Sequence, residues 1–314
     1  MQLKNVPFTN LEILSRDIPD LYTKELCPQN DFYFHAYHLK KYCSLKSNYI
    51  LKCAIEHGIY NRLYTWELDI KNNMPFIFSI GDYRKEILSQ KTDKQHFALG
   101  PYIHYVEPSL SGNKLKKEKQ RLGKTLLVFP AHSTHHEDVT YDAENFCAEI
   151  LKIKITHNFD SVRVCLYWKD ILNGYSKIYQ KYGFECVCAG HMFDKYFLPR
   201  LKSIIMSSDI TMSNSDGTHL GYCIYLNKPH YLWSQAREYN QDNVAMQEKE
   251  YKADLEKKLL EEQQEFEQIF SEYREDISDE QLKIIEKRFS FSKIRSKQEL
   301  RCILEEAEKQ YSKK

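Results

Sequence analysis

Short apolar runs alternate with segments of helical spacing along most of the chain. Five runs after residue 124 predict buried strands: 125–129, 161–168, 184–189, 210–212 and 230–233. Four segments between them have apolar residues at helical spacing: 142–156, 171–182, 197–206 and 218–226. Because strand and helix alternate with short connections, this part predicts a parallel sheet that helices cover on both faces.

The part of the chain before residue 124 shows the same alternation in a weaker form. Strands are predicted at 49–55 and 75–80, and a polar helix is predicted at 83–90. The segment 109–124 is polar and basic. It predicts an exposed loop that separates two domains.

Beyond Asn243 the chain is rich in Glu, Lys, Gln and Leu and almost free of β-branched residues until Ile269. One helix is predicted over 246–273, a second after Ser278 and a third near Ser296, each of the last two with Gln or Glu three residues on. These helices either pack back on the body or form a coiled coil with a partner, and the absence of sustained heptads favours packing on the body. The predicted domains are 1–115, 116–241 and 242–314.

Composition narrows the class of protein. Of the 314 residues 42% are hydrophobic, with only 10 Gly and 9 Pro, which excludes collagen-like, low-complexity and globally disordered chains. No run approaches the roughly 18 apolar residues of a membrane span, and the N-terminus has no secretory-signal pattern, so we expect a cytoplasmic protein. The nine scattered cysteines are expected to be buried thiols.

The charges nearly cancel over the whole chain. Lys and Arg number 45 and Asp and Glu 44, for a net charge of +1, so a basic field for nucleic acid is absent. The body before Asp242 is mildly basic, which suits an anionic substrate, and the remainder is acidic.

Candidate chemistry is sought where predicted strands end, because ligands of open parallel sheets bind outside the carboxyl ends of the strands. Glu56, His57 and Gly58 follow the first predicted strand. His57 can take a proton from a hydroxyl near neutral pH, and Glu56 can orient His57 or act as the base itself. A single histidine at a strand end is more often structural, so the tripeptide needs context.

Two polar loops follow later strands. Residues 130–136 hold three His, a Ser and a Thr, and residues 213–219 combine small hydroxyl residues with Gly217 and His219 ahead of an apolar helix. Backbone N–H groups at a helix N-terminus attract phosphate. The predicted donor-binding residues, including one at the end of the 184–189 strand, are His132, Ser133, Thr134, His191, Ser213, Asn214, Ser215, Gly217, Thr218 and His219.

Other interpretations of these loops remain open. His135 and His136 resemble zinc ligands, although adjacent histidine side chains usually diverge. The first loop can also be an exposed polar loop. In the second loop, Ser215 or Asp216 can be an ordinary helix N-cap.

The segment 204–232 (IIMSSDITMSNSDGTHLGYCIYLNKPHYL) resembles the donor-phosphate motif of GT-B-fold transferases. There a strand ends in Ser-rich sequence, a helix follows, and a Lys-Pro turn leads to a last strand. Teichoic acid polymerases and bacterial sialyl- and polysialyltransferases carry related patterns. Glu56-His57-Gly58 is similar to the His-Gly motif of the polymerases, whose His acts as the base, and 129–133 lies where they have a second nucleotide-side motif.

The resemblance covers residues 49–233 and has departures. Glu56 stands where the polymerases tend to have an aromatic residue, and Asn214 interrupts the adjacent Ser pair. It implies an α/β GT-B fold, with two Rossmann-like parallel-sheet domains facing across a cleft and a C-terminal helical tail.

The resemblance implies a glycosyltransferase that builds bacterial surface polysaccharide, such as capsule, O-antigen or lipooligosaccharide. The enzyme would move a sugar from a nucleotide-sugar donor to a glycan or lipid-linked glycan acceptor. The transfer would be inverting, without metal or cofactor, and His57 would be the base with Glu56 as second choice. The resemblance leaves open a peripheral contact with the inner membrane or with a polysaccharide assembly complex.

Three alternatives stand beside this interpretation. A teichoic-type polyol-phosphate transferase would use a CDP donor, a non-hydrolysing sugar epimerase would need no acceptor, and a catalytically inactive scaffold would act through its helical tail. Donor screening, product analysis without acceptor and nucleotide release separate them.

Overall fold

The structure, a computed structural model, describes residues 3–19, 25–60, 65–134, 137–241 and 253–313. The chain divides into two compact units. The first unit comprises Met1–Ile18, Glu107–His191 and Tyr196–Ser278, and the second comprises Pro19–Val106, Met192–Lys195 and Asp279–Lys314. The division into domains 1–115, 116–241 and 242–314 stays a prediction.

The described residues form the following strands: β1 (Cys53–Ile55), β2 (Phe76–Ser79), β3 (Gln95–Ala98), β4 (Thr125–Phe129), β5 (Glu137–Thr140), β6 (Ser161–Leu166), β7 (Glu185–Cys188), β8 (Ile210–Ser213), β9 (His230–Leu232) and β10 (Glu238–Gln241). The α-helices are α1 (Leu11–Leu14), α2 (His35–Tyr42), α3 (Glu67–Ile70), α4 (Arg84–Ser89), α5 (Gly112–Leu122), α6 (Ala143–Thr156), α7 (Trp168–Leu172), α8 (Tyr175–Lys181), α9 (Phe197–Met206), α10 (Thr218–Tyr225), α11 (Ala253–Phe270), α12 (Asp279–Phe289) and α13 (Lys297–Tyr311). Short 3₁₀ helices lie at Leu3–Asn5, Pro28–Phe34, Tyr102–Tyr105 and Phe291–Lys293.

The first unit contains a five-stranded parallel sheet in the order β7-β6-β4-β8-β9. Every residue of β4 is buried, because helices cover both faces of a parallel sheet. The core includes Val128, Val164 and Met212 on the strands and Phe146 and Ile150 on α6.

The order of these strands reverses direction beside β4. From β4 the chain builds outward through β6 and β7 on one side, and then crosses to build β8 and β9 on the other. In such a sheet the loops after the two strands at the reversal part to opposite faces and leave a crevice. The reversal lies between β4 and β8.

The second unit contains the three-stranded parallel sheet β1-β2-β3. Helices α12 and α13 belong to this unit, and they bury Phe289, Leu300 and Leu304. Helix α11 belongs to the first unit, where it buries Phe266 and Phe270. The C-terminal helices therefore pack back on the body, as predicted, and the α/β class with two Rossmann-like parallel sheets is confirmed.

Some predicted elements differ from the observed ones. The predicted loop at 109–124 is mostly helix α5, because Lys, Gln, Arg and Leu are good helix formers and a high charge density does not by itself signal a loop. The predicted helix at 171–182 is broken into α7 and α8 at Gly174, whose φ of +90° cannot continue a helix. The antiparallel pair of β5 with β10 was not predicted.

The structure also bears on the predicted C-terminal helix, on the cysteines and on membrane spans. The predicted helix at 246–273 is observed as α11, and residues 242–252 lie outside the described residues. The nine cysteines are all free thiols, with only Cys302 exposed. Within the described ranges, no helix combines the length and the apolarity that crossing a membrane requires.

Candidate functional site

The two predicted loops of the first unit start side by side. Phe129, the last residue of β4, pairs with Ser213, the last residue of β8. The next residues are joined, since the Ala131 N–H donates to Asn214 Oδ1 at 2.6 Å. The Asn214 amide also donates to Gln235 Oε1 at 3.0 Å. Asn214 is fully buried, and its side chain joins the two loops at the crevice.

The N-terminus of α10 lies in the second loop. The N-cap residue of α10 is Gly217, in an extended conformation, so no N-cap side chain accepts a hydrogen bond from the helix. Neither Ser215 nor Asp216 is the N-cap residue, and the Asp216 carboxylate accepts a hydrogen bond from Gln263 at 2.9 Å. The Leu220 N–H donates to the Gly217 carbonyl at 3.2 Å. The dipole of the helix makes its N-terminal end attractive to an anion.

His219 is stacked on the end of β4. Its ring lies 5.0 Å from the ring of Phe129 at an interplanar angle of 27°. Burial, with the nearby His132 adding to it, lowers the pKa of His219 to about 3, so the ring is neutral. Among the residues that the structure describes, its buried Nε2 has no hydrogen-bond partner. A Cβ on Gly217 would lie 3.1 Å from His219 Nδ1, so the glycine gives this ring its space.

Two side chains of the first loop are exposed. His132 packs its ring 5.0 Å from that of Tyr167, and its Nδ1 lies 2.8 Å from the Ser133 carbonyl oxygen. The Thr134 hydroxyl accepts a hydrogen bond from the Glu137 N–H at 3.1 Å. Both side chains are therefore accessible to a ligand in the observed conformation of the loop. His135 and His136 lie outside the described residues.

Ser133 fixes the path of the loop. It is fully buried, and its N–H donates to Asp170 Oδ1 at 3.1 Å. Its hydroxyl oxygen accepts from the Val139 N–H on β5 at 3.1 Å. Burial raises the pKa of Asp170 above its ordinary value, and the nearby His132 opposes this. Ser133 therefore holds the loop between α7 and β5.

Ser213 and His191 lie apart from the exposed part of the crevice. The buried Ser213 hydroxyl donates to the Ser215 carbonyl at 2.7 Å and lies 2.9 Å from His230 Nε2, so its partners are internal. His191 follows β7, which β6 separates from β4, and its Nε2 lies 3.3 Å from Asp17 Oδ1. The structure therefore groups the other predicted donor residues without His191, and the Ser213 hydroxyl is not accessible to a ligand.

In the second unit, Glu56 follows β1 as half of a buried ion pair. Arg84 Nη2 lies 2.6 Å from Glu56 Oε1, and Arg84 Nε donates to the same carboxylate at 3.0 Å. Arg84 also donates to Thr65 Oγ1 at 3.0 Å. Both charged side chains are almost completely buried. The Glu56 carboxylate is thus occupied by Arg84, which is the arrangement of a structural support.

His57 lies among aromatic rings. The ring centroids of Phe32, Tyr60 and Trp66 are 5.4, 5.4 and 5.5 Å from that of His57. Its carbonyl accepts a hydrogen bond from His35 Nε2 at 3.0 Å. Burial lowers the pKa of His57 to about 4, so the imidazole is neutral at neutral pH and can accept a proton.

The backbone beside His57 is strained. Tyr33 and Phe34 have φ values of 52° and 57°, which are uncommon for aromatic residues. The Tyr33 N–H donates to the Met192 carbonyl at 2.9 Å within the same unit. Strained backbone of this kind persists only where its surroundings hold it, and it is frequent at functional sites.

Sequence reasoning missed several residues that hold these sites. Asp170 follows β6 at the same edge of the sheet, so the strand-end rule could have found it. Arg84 and Gln235 reach their partners through tertiary packing, for which the local pattern gives no signal, whereas Tyr60 lies only three residues from His57. Within the described ranges, no group of three or more His, Cys, Asp or Glu residues has the arrangement of a metal site.

A scan against protein-family models finds no match, and a search of curated proteins finds no relative. Among solved structures, the chain is similar to the S. aureus MnaA–UDP co-structure, with 11% identity and a TM-score of 0.34 over 50% of this chain and 42% of that chain. It is also similar to UDP-GlcNAc 2-epimerase from Neisseria meningitidis bound to UDP-GlcNAc, with 13% identity and a TM-score of 0.32 over 50% of this chain and 44% of that chain. The chain thus spans less than half of either protein, and TM-scores of this size assign no activity.

Proposed function

We propose that the protein is a glycosyltransferase that moves a sugar from a nucleotide-sugar donor to a glycan acceptor in the synthesis of bacterial surface polysaccharide. The first unit binds the nucleotide part of the donor. His57 of the second unit takes the proton of the acceptor hydroxyl. Glu56 is the weaker candidate for the base, since Arg84 already engages its carboxylate.

The observation that carries the proposal is the reversal of strand order between β4 and β8. Ligands of open α/β sheets bind at such reversals, outside the carboxyl ends of the strands. Here the crevice has the N-terminus of α10, whose N-cap residue is Gly217, with the Ser215 and Thr218 side chains next to it. The neighbouring loop carries the exposed His132 and Thr134. Backbone N–H groups, hydroxyls and imidazole N–H groups can donate hydrogen bonds to phosphate oxygens.

His57 carries the catalytic part of the proposal. Inverting transfer needs a group that takes a proton from the acceptor while the nucleotide leaves with negative charge. A neutral imidazole, partly exposed at a strand end, can do so. The resemblance of Glu56-His57-Gly58 to the His-Gly motif of the teichoic acid polymerases supports the same role.

Nucleotide binding is tested first by thermal shift with CMP, CDP, UDP, GDP and dTDP, with inorganic phosphate as the control. A ligand at a hundred times its Kd stabilises the folded protein by about 2.7 kcal/mol, which is readily measured. We expect one base to be preferred over the others and over phosphate. If no nucleotide raises the melting temperature more than phosphate does, the crevice is not a nucleotide site.

Transfer is tested next with the preferred nucleotide. Release of that nucleotide from its sugar donor, dependent on a glycan acceptor, would support a glycosyltransferase. Release from CDP-glycerol alone among the donors would indicate polyol-phosphate transfer. A changed sugar without acceptor would indicate an epimerase, and nucleotide binding without any turnover would indicate a scaffold.

A further inference from the structure

Tyr60 is the side chain that contacts the inner nitrogen of His57. Its hydroxyl oxygen lies 3.0 Å from His57 Nδ1. No described residue hydrogen-bonds to His57 Nε2, and the histidine side chain is partly exposed. The Tyr60 hydroxyl therefore decides which nitrogen carries the proton. If Tyr60 donates to Nδ1, then Nε2 is protonated and cannot take a proton from a substrate.

The position of Tyr60 is fixed by the surrounding residues. The Tyr83 hydroxyl accepts from the Tyr60 N–H at 3.1 Å and donates to the Tyr60 carbonyl at 2.7 Å. The guanidinium of Arg84 lies over the Tyr60 ring, 5.1 Å from its centroid, and Glu56 holds Arg84 in turn. The buried Glu56–Arg84 pair therefore helps to hold the Tyr60 ring in position.

Asp69 is a buried carboxylate close to Tyr60. It lies on α3 and is 1% exposed, and neither carboxylate oxygen has a hydrogen bond of regular geometry within the described residues. Tyr60 and Gln29 are close enough to lower its pKa. Burial and the charge of Glu56 raise that pKa by more, to about 7. A buried carboxylate that lacks good donors attracts the nearest hydroxyl proton, because leaving it unsatisfied is costly.

We propose that Tyr60 and Asp69 fix the tautomer of His57. Tyr60 accepts the Nδ1–H of His57 and directs its own hydroxyl proton toward Asp69. The lone pair of His57 then lies on Nε2, the nitrogen that has no partner in the described structure. When Nε2 takes the acceptor proton, Nδ1–H stays bonded to the Tyr60 oxygen, and the charge of Asp69 stabilises the imidazolium.

This inference rests on the proposed role of His57 as the base, and it makes Tyr60 and Asp69 positioning residues. The tautomer can be read without any substrate, from long-range ¹H–¹⁵N correlation spectra of the full-length protein labelled at histidine. The His57 signals are identified by their loss in His57→Gln. At pH 8, above the pKa of Asp69, we expect the Nδ1–H tautomer.

Two variants test the proposed chain of hydrogen bonds from His57 through Tyr60 to Asp69, which we call the relay. Asp69→Leu removes the acceptor with little change of shape, so the Tyr60 proton should turn to His57 Nδ1 and the tautomer should switch to Nε2–H. Tyr60→Phe should remove the preference for the Nδ1–H tautomer. It should lower turnover by roughly tenfold to hundredfold, the range for loss of the outer partner of a metal-bound histidine, while nucleotide affinity is kept. The matched control is Tyr49→Phe, which removes a hydroxyl bonded to Leu304 in the same unit and should leave the tautomer unchanged.

An Nε2–H tautomer in the unaltered protein would overturn the inference, and so would an Nδ1–H tautomer that survives in both variants. If Asp69→Leu does not fold, Tyr60→Phe decides. Failure of the relay is distinguishable from failure of the proposed function. Confirmed transfer with an Nε2–H tautomer overturns the relay alone, whereas the expected tautomers in a protein that transfers no sugar overturn the function alone.

Discussion

At the scale of single residues, the role of a polar side chain depends on which of its atoms are already engaged. Ser213 and Ser215 are two residues apart, yet the Ser213 hydroxyl is buried between the Ser215 carbonyl and His230. Ser215 is partly exposed beside the N-terminus of α10. A ligand can reach only the second of these hydroxyls.

This difference gives a prediction for nucleotide affinity. Ser215→Ala or Thr218→Ala should weaken binding of the preferred nucleotide by about 1–3 kcal/mol, the range for a lost hydrogen bond to a charged group. Ser213→Ala should instead lower thermal stability and keep the affinity, because its hydroxyl bonds only within the protein. Titration calorimetry on the three variants measures this. Unchanged affinity in both Ser215→Ala and Thr218→Ala would remove these residues from the site.

A second residue-scale prediction separates His57 from Glu56. His57→Ala should lower turnover by roughly a hundredfold to ten-thousandfold and keep nucleotide affinity, since it removes the base alone. Glu56→Gln should lower the free energy of unfolding by about 3–5 kcal/mol, because it leaves the buried Arg84 without its charged partner. Steady-state kinetics and denaturant melts measure the two effects. Normal turnover in both His57→Ala and Glu56→Gln would move the base elsewhere, with His104 or His35 as the next candidates.

At the scale of elements, local pattern and tertiary packing divide what sequence reasoning can find. Strands β4 and β8 and helix α10 were predicted because apolar runs and helical spacing are local signals, and the strand-end rule then located both polar loops. The pairing of β5 with β10 joins segments far apart in the chain, and a four-residue polar strand gives no local signal. The contact of Tyr60 with Arg84 likewise arises only through tertiary packing, whereas its contact with His57, three residues away, is local.

Helix α12 gives an element-scale prediction. A Cβ on Gly81 would lie far inside van der Waals contact with the carbonyl of Arg288 on α12, and this backbone cannot move aside without shifting the helix. Gly81→Ala should therefore cost about 3 kcal/mol, at the upper end for overpacking, and should speed hydrogen exchange in α12. Gly112→Ala adds the same methyl group where nothing lies within 4 Å, so it should cost only the strain of its φ of +52°, about 1–2 kcal/mol. Equal exchange rates of α12 in the two variants would contradict this close packing.

At the scale of the whole molecule, histidines buried in both units link folding to pH. Burial lowers the pKa of His35 to about 3 and that of His38 to about 4 in the second unit. It holds the pKa of His230 in the first unit well below its ordinary value of 6.5. The three side chains are at most 5% exposed, so the folded state keeps them neutral in weak acid. In the unfolded chain each would take up a proton near pH 6.5.

Stability should therefore fall as the pH is lowered from 6.5 toward 4. In this window the unfolded state binds more protons at these histidines, and the free energy of unfolding decreases by up to about 1.4 kcal/mol per pH unit for each. Asp69 acts in the opposite direction, because its pKa is about 7 in the folded protein and ordinarily 3.8. Between these values the folded state binds the proton more tightly, so Asp69 adds to the free energy of unfolding as the pH falls. This offsets the effect of about one histidine. Urea melts at pH 8, 6.5, 5.5 and 4.5 measure how the free energy of unfolding changes with pH. His38→Gln removes one group that takes up a proton on unfolding, so it should reduce this change by up to about 1.4 kcal/mol per pH unit. A free energy of unfolding that stays level or rises between pH 6.5 and 4.5 would show that these histidines are charged in the folded protein.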